Sequence, residues 1–293
     1  MGCRKDRRFC VKLTCVTATF NCIKAGNRER LTRCVESVAK LKTAHEHLVY
    51  DGASTDGTAE LLHELEAKAP GLKVVSEPDS GIYDALNKGL RAAKGEWFYV
   101  LGADDFIVHP EVLDDIFKSE VKASAIVSPV ERDGGYSFFR SKKDLRVIFF
   151  GGPYSHQGLL VRTELMRQKG GFDMRYKICA DWDFMLKMHE SNVRFDYRRE
   201  PFAYYSSGGM SETGGASRKE VVAALSEHLR LSEREKSMLV DRRVLPIAKM
   251  LPYMFHSDLA FRMGARHMIL RRLLDLCGLI GSGGGLRLRK SHS

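Results

Sequence analysis

Several features that define other protein classes are missing from this 293-residue chain. No stretch approaches the 18 consecutive apolar residues of a membrane-spanning helix, so we expect nothing here to cross a bilayer. The seven cysteines are odd in number and include no CxxC pair, so the pattern indicates neither a disulfide framework nor a zinc site. A reduced, cytoplasmic compartment therefore fits best. The chain also has no P-loop and no GxGxxG after its first predicted strand, which disfavours a dinucleotide-binding Rossmann site.

Positive charge is concentrated at the end of the chain. The formal net charge is +10, and residues 218–293 hold 15 Lys or Arg against 7 Asp or Glu. A basic segment of this kind suggests an anionic partner, either nucleic acid or an anionic membrane surface. A solvated basic helix explains the same composition equally well. Residues 281–293 are rich in Gly and Ser and then basic, and we expect them to be disordered.

Apolar patterning in the first third of the chain alternates between strands and helices. The predicted strands cover residues 11–20, 47–50, 72–76 and 97–101, and helices are predicted between them, including 27–41 and 82–94. This alternation predicts an α/β fold with a parallel sheet and right-handed crossovers.

Carboxylates follow three of the predicted strands. Asp51, Asp79 and the pair Asp104–Asp105 each come just after a strand, and the carboxyl ends of parallel strands lie at one edge of a sheet. We therefore expect all four side chains to line one cleft. Two adjacent carboxylates repel each other, and a divalent cation bound with a diphosphate would relieve that repulsion. The alternative for Asp104 and Asp105 is a turn that caps the next helix.

The second half of the chain is less regular. A strand is predicted over residues 154–162, with His156 and Gln157 near its start, and a helix is predicted to begin at Ala180. A hairpin is predicted over residues 134–139. One strand-like segment is predicted over residues 193–205, and a mobile glycine-rich loop over residues 206–215. From Arg218 onward the pattern is helical and basic.

Four motifs in order resemble family 2 glycosyltransferases of the GT-A fold, of the bacterial polysaccharide-assembly type. Residues 49–58 (VYDGASTDGT) are similar to the family's DGGSTDGT segment, and residues 76–89 (SEPDSGIYDALNKG) to its EPDxGIYDAMNKG run. Residues 101–105 (LGADD) resemble the metal-binding DxD variant. His156-Gln157 with residues 180–183 (ADWD) resembles the acceptor-side segment that carries the catalytic base.

The resemblance implies roles for individual residues. Asp181 is the expected general base, and Asp183 is the competing candidate. Residues at i and i+2 of a helix do not share a face, so only one of the two should point into the cleft. Asp105 is the expected direct ligand of Mn²⁺ or Mg²⁺, and Asp104 is expected to contact the donor ribose or the metal through water. Asp51 is expected to accept a hydrogen bond from a uracil-like base. The remaining donor-binding residues are Thr17, Phe20, Asp79, Asn87 and Lys88, and the acceptor or diphosphate side comprises His156, Gln157, Trp182, Asp183 and Ser211.

These expectations define an inverting, metal-dependent transferase that moves a sugar from a nucleotide-sugar donor, UDP-sugar favoured, to a saccharide or lipid-linked acceptor. The alternatives are a nucleotidyltransferase acting on sugar phosphates and a non-catalytic binding protein that docks through the basic segment. We expect a catalytic domain at residues 9–211, with a donor half to about 107 and an acceptor half from about 108. Residues 212–280 are expected to form a basic helical extension that contacts an anionic membrane peripherally, or a second subunit, rather than nucleic acid.

Overall fold

A computed structural model describes residues 11–133, 135–137, 154–191, 193–207 and 216–228, together with residues 230 and 233. Its first half contains the strands β1 (Leu13–Thr19), β2 (His45–Asp51), β3 (Leu72–Ser76), β4 (Trp97–Val100) and β5 (Phe106–Ile107). The helices between and after them are α1 (Arg28–Ala39), α2 (Thr58–Glu66), α3 (Ile82–Ala92) and α4 (Pro110–Ile116). The predicted alternation of strands and helices is therefore confirmed.

The second half has shorter elements. The strands are β6 (Ala125–Val127), β7 (Val130–Arg132), β8 (Gly135–Ser137), β9 (Leu159–Arg162), β10 (Phe195–Tyr197) and β11 (Ala203–Tyr204). The helices are α5 (Thr163–Gln168), α6 (Ala180–Glu190) and α7 (Ala216–His228), and a 3₁₀ turn covers His156–Gly158.

Seven strands form the central sheet in the order β10-β6-β9-β4-β1-β2-β3. All of them are parallel except β9, which runs antiparallel to both β4 and β6. The strands β5, β11, β7 and β8 form a second, four-stranded sheet, in which β7 and β8 are the predicted hairpin. The fold is thus a mostly parallel sheet flanked by helices, as expected.

Two apolar layers hold helices against the sheet. On one face, Cys34 and Val38 of α1 and Leu113 of α4 pack with Leu13 and Tyr99 of the central strands. On the other face α3 lies so close to β1 that a Cβ at Gly89 would sit 2.4 Å from Cγ1 of Val16. Gly89 therefore permits a close approach of helix and strand that a larger residue would prevent.

Two predicted strands were wrong in detail. His156 and Gln157 lie in the 3₁₀ turn that precedes β9 and not in the strand itself. The segment 193–205 is two short strands that belong to different sheets. Pro201 lies between them, and its missing N–H cannot contribute to a continuous ladder.

The chain divides into two compact units, residues 1–140 with 154–217 and residues 141–153 with 218–293. In the second unit the described residues from 218 to 228 belong to α7, inside the predicted helical extension. The rest of that extension and the 281–293 tail lie outside the described residues, so the predicted domain limits stay predictions. Within the described part of the chain, no helix combines the length and apolarity required to cross a membrane. Cys15, Cys22, Cys34 and Cys179 are buried and form no disulfide within the described part of the chain.

Candidate active site

A cleft of about 410 Å³ opens at the carboxyl ends of β1 and β4. Asp104 and Asp105 form one wall, and Tyr83, His156 and Asp181 line it as well. The chain thus brings together carboxylates that are 76 or more residues apart in sequence. This position at the end of the parallel strands is where open α/β sheets bind ligands.

Asp105 is the more buried of the adjacent carboxylates, with 2% of the residue exposed. Its Oδ2 accepts a 2.8 Å hydrogen bond from Nε2 of Gln157, and its Oδ1 accepts one of 2.8 Å from the backbone N–H of Ser206. Burial and the charge of Asp104 raise the pKa of Asp105 to about 6, although these two hydrogen bonds favour the ionised form. Asp105 is therefore an anion whose charge is only partly compensated.

The geometry around Gly102 bears on whether a cation fits here. A Cβ on Gly102 would lie 2.5 Å from Oδ2 of Asp105 and 3.0 Å from Oδ1 of Asp104, so both carboxylates fold over this glycine. Oxygen ligands of this kind suit Mg²⁺ or Mn²⁺. No set of three His, Cys, Asp or Glu residues that could hold a metal occurs in the described ranges. The described residues therefore supply the oxygen ligands of this carboxylate pair and no third His, Cys, Asp or Glu that would complete a metal site.

Asp181 lines the same cleft from the first turn of α6. Its Oδ1 accepts a 3.0 Å hydrogen bond from the hydroxyl of Tyr83, and its Oδ2 lies 3.2 Å from Nδ1 of His156. The side chains of His156 and Asp181 are 32% and 28% exposed, so both can meet a ligand. The carboxylate is thus oriented on both oxygens yet remains accessible.

The charges of His156 and Asp181 stabilise each other. Burial disfavours the anion of Asp181, but hydrogen bonds from His156, from the backbone of Trp182 and from Tyr83 outweigh it and lower the pKa of Asp181. Burial also opposes the cation of His156, and its contact with Asp181 nonetheless raises the pKa of His156. Asp181 is therefore an anion at neutral pH, as a general base must be.

Asp183, the competing candidate, is only 3% exposed and does not line the cleft. Its Oδ2 lies 2.7 Å from Nζ of Lys187, one turn further along α6. Trp182 is 4% exposed and is also absent from the cleft wall. Of the three adjacent residues, only Asp181 faces the cleft.

Asp51 and Asp79 share the predicted sheet edge with Asp104 and Asp105 but do not line the same cleft. Asp51 is 1% exposed and accepts hydrogen bonds from the backbone and hydroxyl of Ser54 and, at 2.6 Å, from the hydroxyl of Ser76. Asp79 accepts a 2.8 Å bond from the N–H of Gly81. The expectation that all four carboxylates line one cleft is therefore correct only for Asp104 and Asp105.

Phe20 alone among the other predicted donor-binding residues lines the cleft, where it is 64% exposed. Thr17 is fully buried, and its hydroxyl donates a 2.9 Å hydrogen bond to the carbonyl of Leu101 and lies 3.0 Å from Nε2 of His47. Its side chain thus links β1 to the residue after β4 and does not line the cleft, and a donor contact by Thr17 stays a prediction.

Asn87 and Lys88 also point away from the cleft. The amide of Asn87 bonds to both the N–H and the carbonyl of Phe172, at 2.9 and 2.8 Å. Nζ of Lys88 lies 2.8 Å from both Glu77 and the carbonyl of Pro78. Both side chains are occupied with holding α3 against neighbouring loops. Ser211 lies outside the described residues.

Tyr83 and Ser206 contact the central carboxylates but were not singled out by sequence reasoning. Tyr83 lies within the quoted 76–89 motif, so its position in that motif was the available signal. Ser206 acts through its backbone N–H, which leaves no trace in a sequence.

The family model "Glycosyl transferase family 2" matches residues 14–202, which include every residue of this cleft except Tyr205 and Ser206. The chain belongs to glycosyltransferase family 2. It is 30% identical over 221 residues to a "PGL/p-HBAD biosynthesis glycosyltransferase" of Mycobacterium bovis and to one of Mycobacterium tuberculosis, with 72% of this chain and 85% of each relative covered.

Solved structures of GT-A glycosyltransferases support the fold. S. aureus TarS in complex with UDP-GlcNAc matches with a TM-score of 0.60 at 19% identity, over 88% of this chain and 79% of TarS. The mannosyltransferase PcManGT from Pyrobaculum calidifontis, in complex with GDP-Man and Mn²⁺, matches with a TM-score of 0.58 at 18% identity, over 92% and 76% of the two chains. This family 2 member is therefore a glycosyltransferase with a GT-A fold.

Proposed function

We propose that this glycosyltransferase is inverting and metal-dependent, and that it moves a sugar from a nucleotide-diphosphate sugar to a saccharide or lipid-linked saccharide in cell-surface polysaccharide synthesis. The observation that carries the proposal is that Asp181 and the Asp104–Asp105 pair line one cleft. A base on one side of a sugar and a diphosphate site on the other is the arrangement that a single displacement needs.

The acceptor hydroxyl binds next to Asp181, which takes its proton as the oxygen attacks the anomeric carbon. The bond from that carbon to the diphosphate oxygen breaks with its electron pair, and the nucleoside diphosphate leaves from the opposite face with inversion. Tyr83 and His156 keep the Asp181 carboxylate ionised and oriented for this step. Asp183 has a side chain that is 4% exposed, pairs with Lys187 and does not line the cleft, so it does not compete for the same proton.

Asp105, with Asp104, would hold the Mn²⁺ or Mg²⁺ ion. When bound, such an ion supplies Lewis-acid neutralisation of charge on the leaving diphosphate. The Mn²⁺ and GDP-Man bound to PcManGT support this assignment as an analogy of fold. Gln157 and Ser206 fix the orientation of Asp105 through their hydrogen bonds.

The nucleoside is expected on the side of Phe20, whose exposed ring can stack on a base. Asp51 and Asp79 lie on the same sheet edge, and we retain Asp51 as the residue that favours a uracil N–H over other bases. The UDP-GlcNAc bound to TarS supports a UDP-sugar as donor. A base N–H at Asp51 would add a donor to a carboxylate that already accepts hydrogen bonds from Ser54 and Ser76.

For the basic region after residue 211 we propose a peripheral contact with the anionic inner face of the plasma membrane, where a cytoplasmic enzyme would meet lipid-linked acceptors. A homo-oligomer formed through this region is the alternative. We expect no nucleic-acid partner, since the family and the cleft account for the nucleotide chemistry.

A thermal-shift experiment with UDP, GDP and their sugars, each with and without Mn²⁺, tests the proposal. A ligand that binds only the folded state raises its melting temperature. We expect stabilisation by UDP-sugars that depends on Mn²⁺, followed by slow release of UDP in the absence of acceptor. A nucleotidyltransferase would instead release pyrophosphate from a nucleoside triphosphate, and that product would contradict the proposal.

A further inference from the structure

Helix α3 is bonded to the segment that precedes α6 through two side chains on one of its faces. Tyr83 and Asn87 stand at positions i and i+4 of α3, and both contact residues 170–179, which join α5 to α6. The hydroxyl of Tyr83 lies 2.8 Å from the carbonyl of Ile178 near the end of this segment, and Asn87 contacts Phe172 near its start. Because the segment contains no helix or strand, contacts of this kind determine its course.

Asn87 makes two hydrogen bonds to a single residue. Its Nδ2 donates to the carbonyl of Phe172 at 2.8 Å, and its Oδ1 accepts from the N–H of Phe172 at 2.9 Å. The residue before Phe172 has to be small here, since a Cβ on Gly171 would lie 2.5 Å from Oδ1 of Asn87. Asn87, Gly171 and Phe172 therefore form a close contact, which we call the clamp.

The ring of Phe172 links the clamp to the base. Its centroid lies 5.3 Å from that of Tyr83 on α3 and 6.0 Å from that of Phe184 on α6, which are distances of favourable aromatic pairs. Tyr83 bonds to Asp181 through its hydroxyl, and Phe184 stands three residues after Asp181 on the same face of α6. Phe172 is 6% exposed and Phe184 is 1% exposed, so a shift of either ring is passed on to its neighbours.

A donor contact by Asn87 is the alternative. The side chain of Asn87 does not line the cleft, and its oxygen and one of its N–H groups are bonded to Phe172. The base, in contrast, depends on small distances, since a misplacement of about 1 Å can lower a rate about 10²-fold. The contacts therefore connect Asn87 to Asp181 and not to the donor.

Resting on the proposed function, we propose that Asn87 is a positioning residue for the general base and takes no part in binding the donor. It fixes the backbone of Phe172, and the ring of Phe172 then holds α3 and α6 at the spacing at which Tyr83 meets Asp181. The end of the 76–89 motif thus serves the acceptor side of the reaction, although it lies in the predicted donor half of the chain.

Two adjacent glycines provide a matched pair of variants. Gly170 and Gly171 both have a left-handed backbone, with φ of 81° and 69°, so an alanine causes similar backbone strain at either position. Only at Gly171 does the new methyl group meet the clamp, because nothing beyond the chain neighbours lies within 4 Å of a Cβ on Gly170. We expect Gly171→Ala to lower kcat about tenfold or more relative to Gly170→Ala. The dissociation constant of UDP, measured by calorimetry, should be the same in both.

A methyl group on Gly171 would also lie 3.1 Å from Cδ2 of Leu90, so the amide is tested on its own as well. Asn87→Leu fills a similar space without polar atoms, and it should lower kcat about tenfold with an unchanged dissociation constant of UDP. The double variant should lose little more than the stronger single variant, because both changes disrupt one contact. Here kcat is measured as release of UDP from the UDP-sugar that stabilises the protein most. Gly171→Ala carries the test if Asn87→Leu does not fold.

Two kinetic outcomes would overturn the proposal. The first is a rise of about tenfold or more in the dissociation constant of UDP in Asn87→Leu, which would assign Asn87 to the donor, since tenfold corresponds to about 1.4 kcal/mol of binding free energy. The second is an equal kcat for Gly170→Ala and Gly171→Ala.

The pH profile separates positioning from a general loss of structure. Hydrogen bonds that include the one from Tyr83 lower the pKa of Asp181 against the effect of burial. A base that has moved away from Tyr83 should therefore show an acidic limb of kcat/KM at higher pH. A smaller amount of folded enzyme lowers the whole profile and leaves the limb in place. A lower kcat with an unmoved acidic limb would mean that the clamp only stabilises the fold, and would overturn the proposal.

The indole N–H signals of the two tryptophans report on α6 without any turnover. Trp182 follows Asp181 in the first turn of α6, and Trp97 in β4 is the internal reference. In NMR spectra of isotope-labelled protein, both variants that disturb the clamp should shift the signal of Trp182 more than that of Trp97, and Gly170→Ala should shift neither. An unshifted Trp182 signal would overturn the inference whatever the reaction. A shifted Trp182 signal with wild-type kcat would support the clamp and contradict Asp181 as the base, which is a failure of the proposed function.

Discussion

Nδ1 of His156 lies 3.2 Å from Oδ2 of Asp181, although the two residues come from a turn before β9 and from the first turn of α6. The contact lowers the pKa of Asp181 against the effect of burial, and it raises the pKa of His156. The histidine therefore stays protonated over the acidic range in which Asp181 must remain ionised. We infer that the pair acts as a unit in which His156 maintains the base.

The first prediction concerns the pH dependence of turnover. His156→Asn removes the cation and the hydrogen bond but leaves the burial of Asp181, so the pKa of Asp181 should rise. The acidic limb of the pH profile of kcat/KM should then move to higher pH. His109→Asn is the control, since His109 pairs with Glu131 and does not line the cleft. An unchanged acidic limb in His156→Asn would show that His156 does not support the base.

The second prediction concerns Tyr83, whose single hydroxyl proton is shared between Oδ1 of Asp181 and the carbonyl of Ile178. Tyr83→Phe keeps the ring and its packing on Phe172 but frees Oδ1 of Asp181. We expect kcat to fall about tenfold, in line with the loss of one hydrogen bond to a charged group, while the KM of the donor changes little. Tyr50→Phe is the control, since the Tyr50 hydroxyl bonds to a carbonyl outside the cleft. Equal kcat values for the two variants would contradict a positioning role for Tyr83.

The third prediction distinguishes Asp181 from Asp183. Asp181→Asn should reduce kcat by about 10²–10⁴-fold, the usual contribution of a general base, and should retain stabilisation by UDP and Mn²⁺. Asp183→Asn breaks a buried contact with Lys187 and should cost about 1–3 kcal/mol of the free energy of unfolding, with kcat within a few-fold of the wild type. The reverse pattern in steady-state kinetics and urea unfolding would assign the base to Asp183.

The sequence predicted the donor half of the fold well because its signals are local. The strands of the central sheet there are short, mostly apolar runs, and aspartates follow three of them within a few residues. Helices such as α1 bury residues at 3–4 spacing, Leu31, Cys34, Val35 and Val38. Residue pattern carries no information on strand direction, however. The antiparallel β9 and the division of residues 193–205 between two sheets depend on tertiary pairing, which a single sequence does not reveal.

The candidate site was predictable to the extent that its residues follow strand ends or helix starts. Asp104, Asp105, His156 and Asp181 do line one cleft. Thr17 lies in a strand, where side chains alternate between the two faces of the sheet. The family motif did not indicate which face Thr17 occupies, and its side chain contacts Leu101 and His47. Contacts made across 52 or more residues, such as Gln157 to Asp105, arise only when the turn before β9 is placed in three dimensions.

The fourth prediction tests the cation site at Gly102. Gly102→Ala places a methyl group 2.5 Å from Oδ2 of Asp105, which is closer than non-bonded atoms approach, so the carboxylate must move. We expect the affinity for Mn²⁺ to fall at least about tenfold, because metal sites depend on ligand position. Calorimetry of UDP binding at a series of Mn²⁺ concentrations measures this affinity. Gly26→Ala is the control: no atom lies within 4 Å of its Cβ position, and its left-handed backbone limits the effect to stability. Wild-type Mn²⁺ affinity in Gly102→Ala would exclude this pair as the cation site.

The fifth prediction concerns the stability of the metal-free protein. The pKa of Asp105 is raised to about 6 in the fold, above the value of about 3.9 expected for an unfolded aspartate. Between these values the folded state binds more protons than the unfolded state, so the contribution of Asp105 to the free energy of unfolding must fall as pH rises from about 4 through about 6. Asp105→Asn removes this titration and should flatten that part of the stability curve, measured by urea unfolding with EDTA present.

Mn²⁺ with UDP should restore stability to the wild-type protein above pH 6 and leave Asp105→Asn unaffected, because the cation binds the ionised carboxylate in competition with the proton. A pH dependence in Asp105→Asn that matches the wild type would show that Asp105 does not titrate with a raised pKa in the fold.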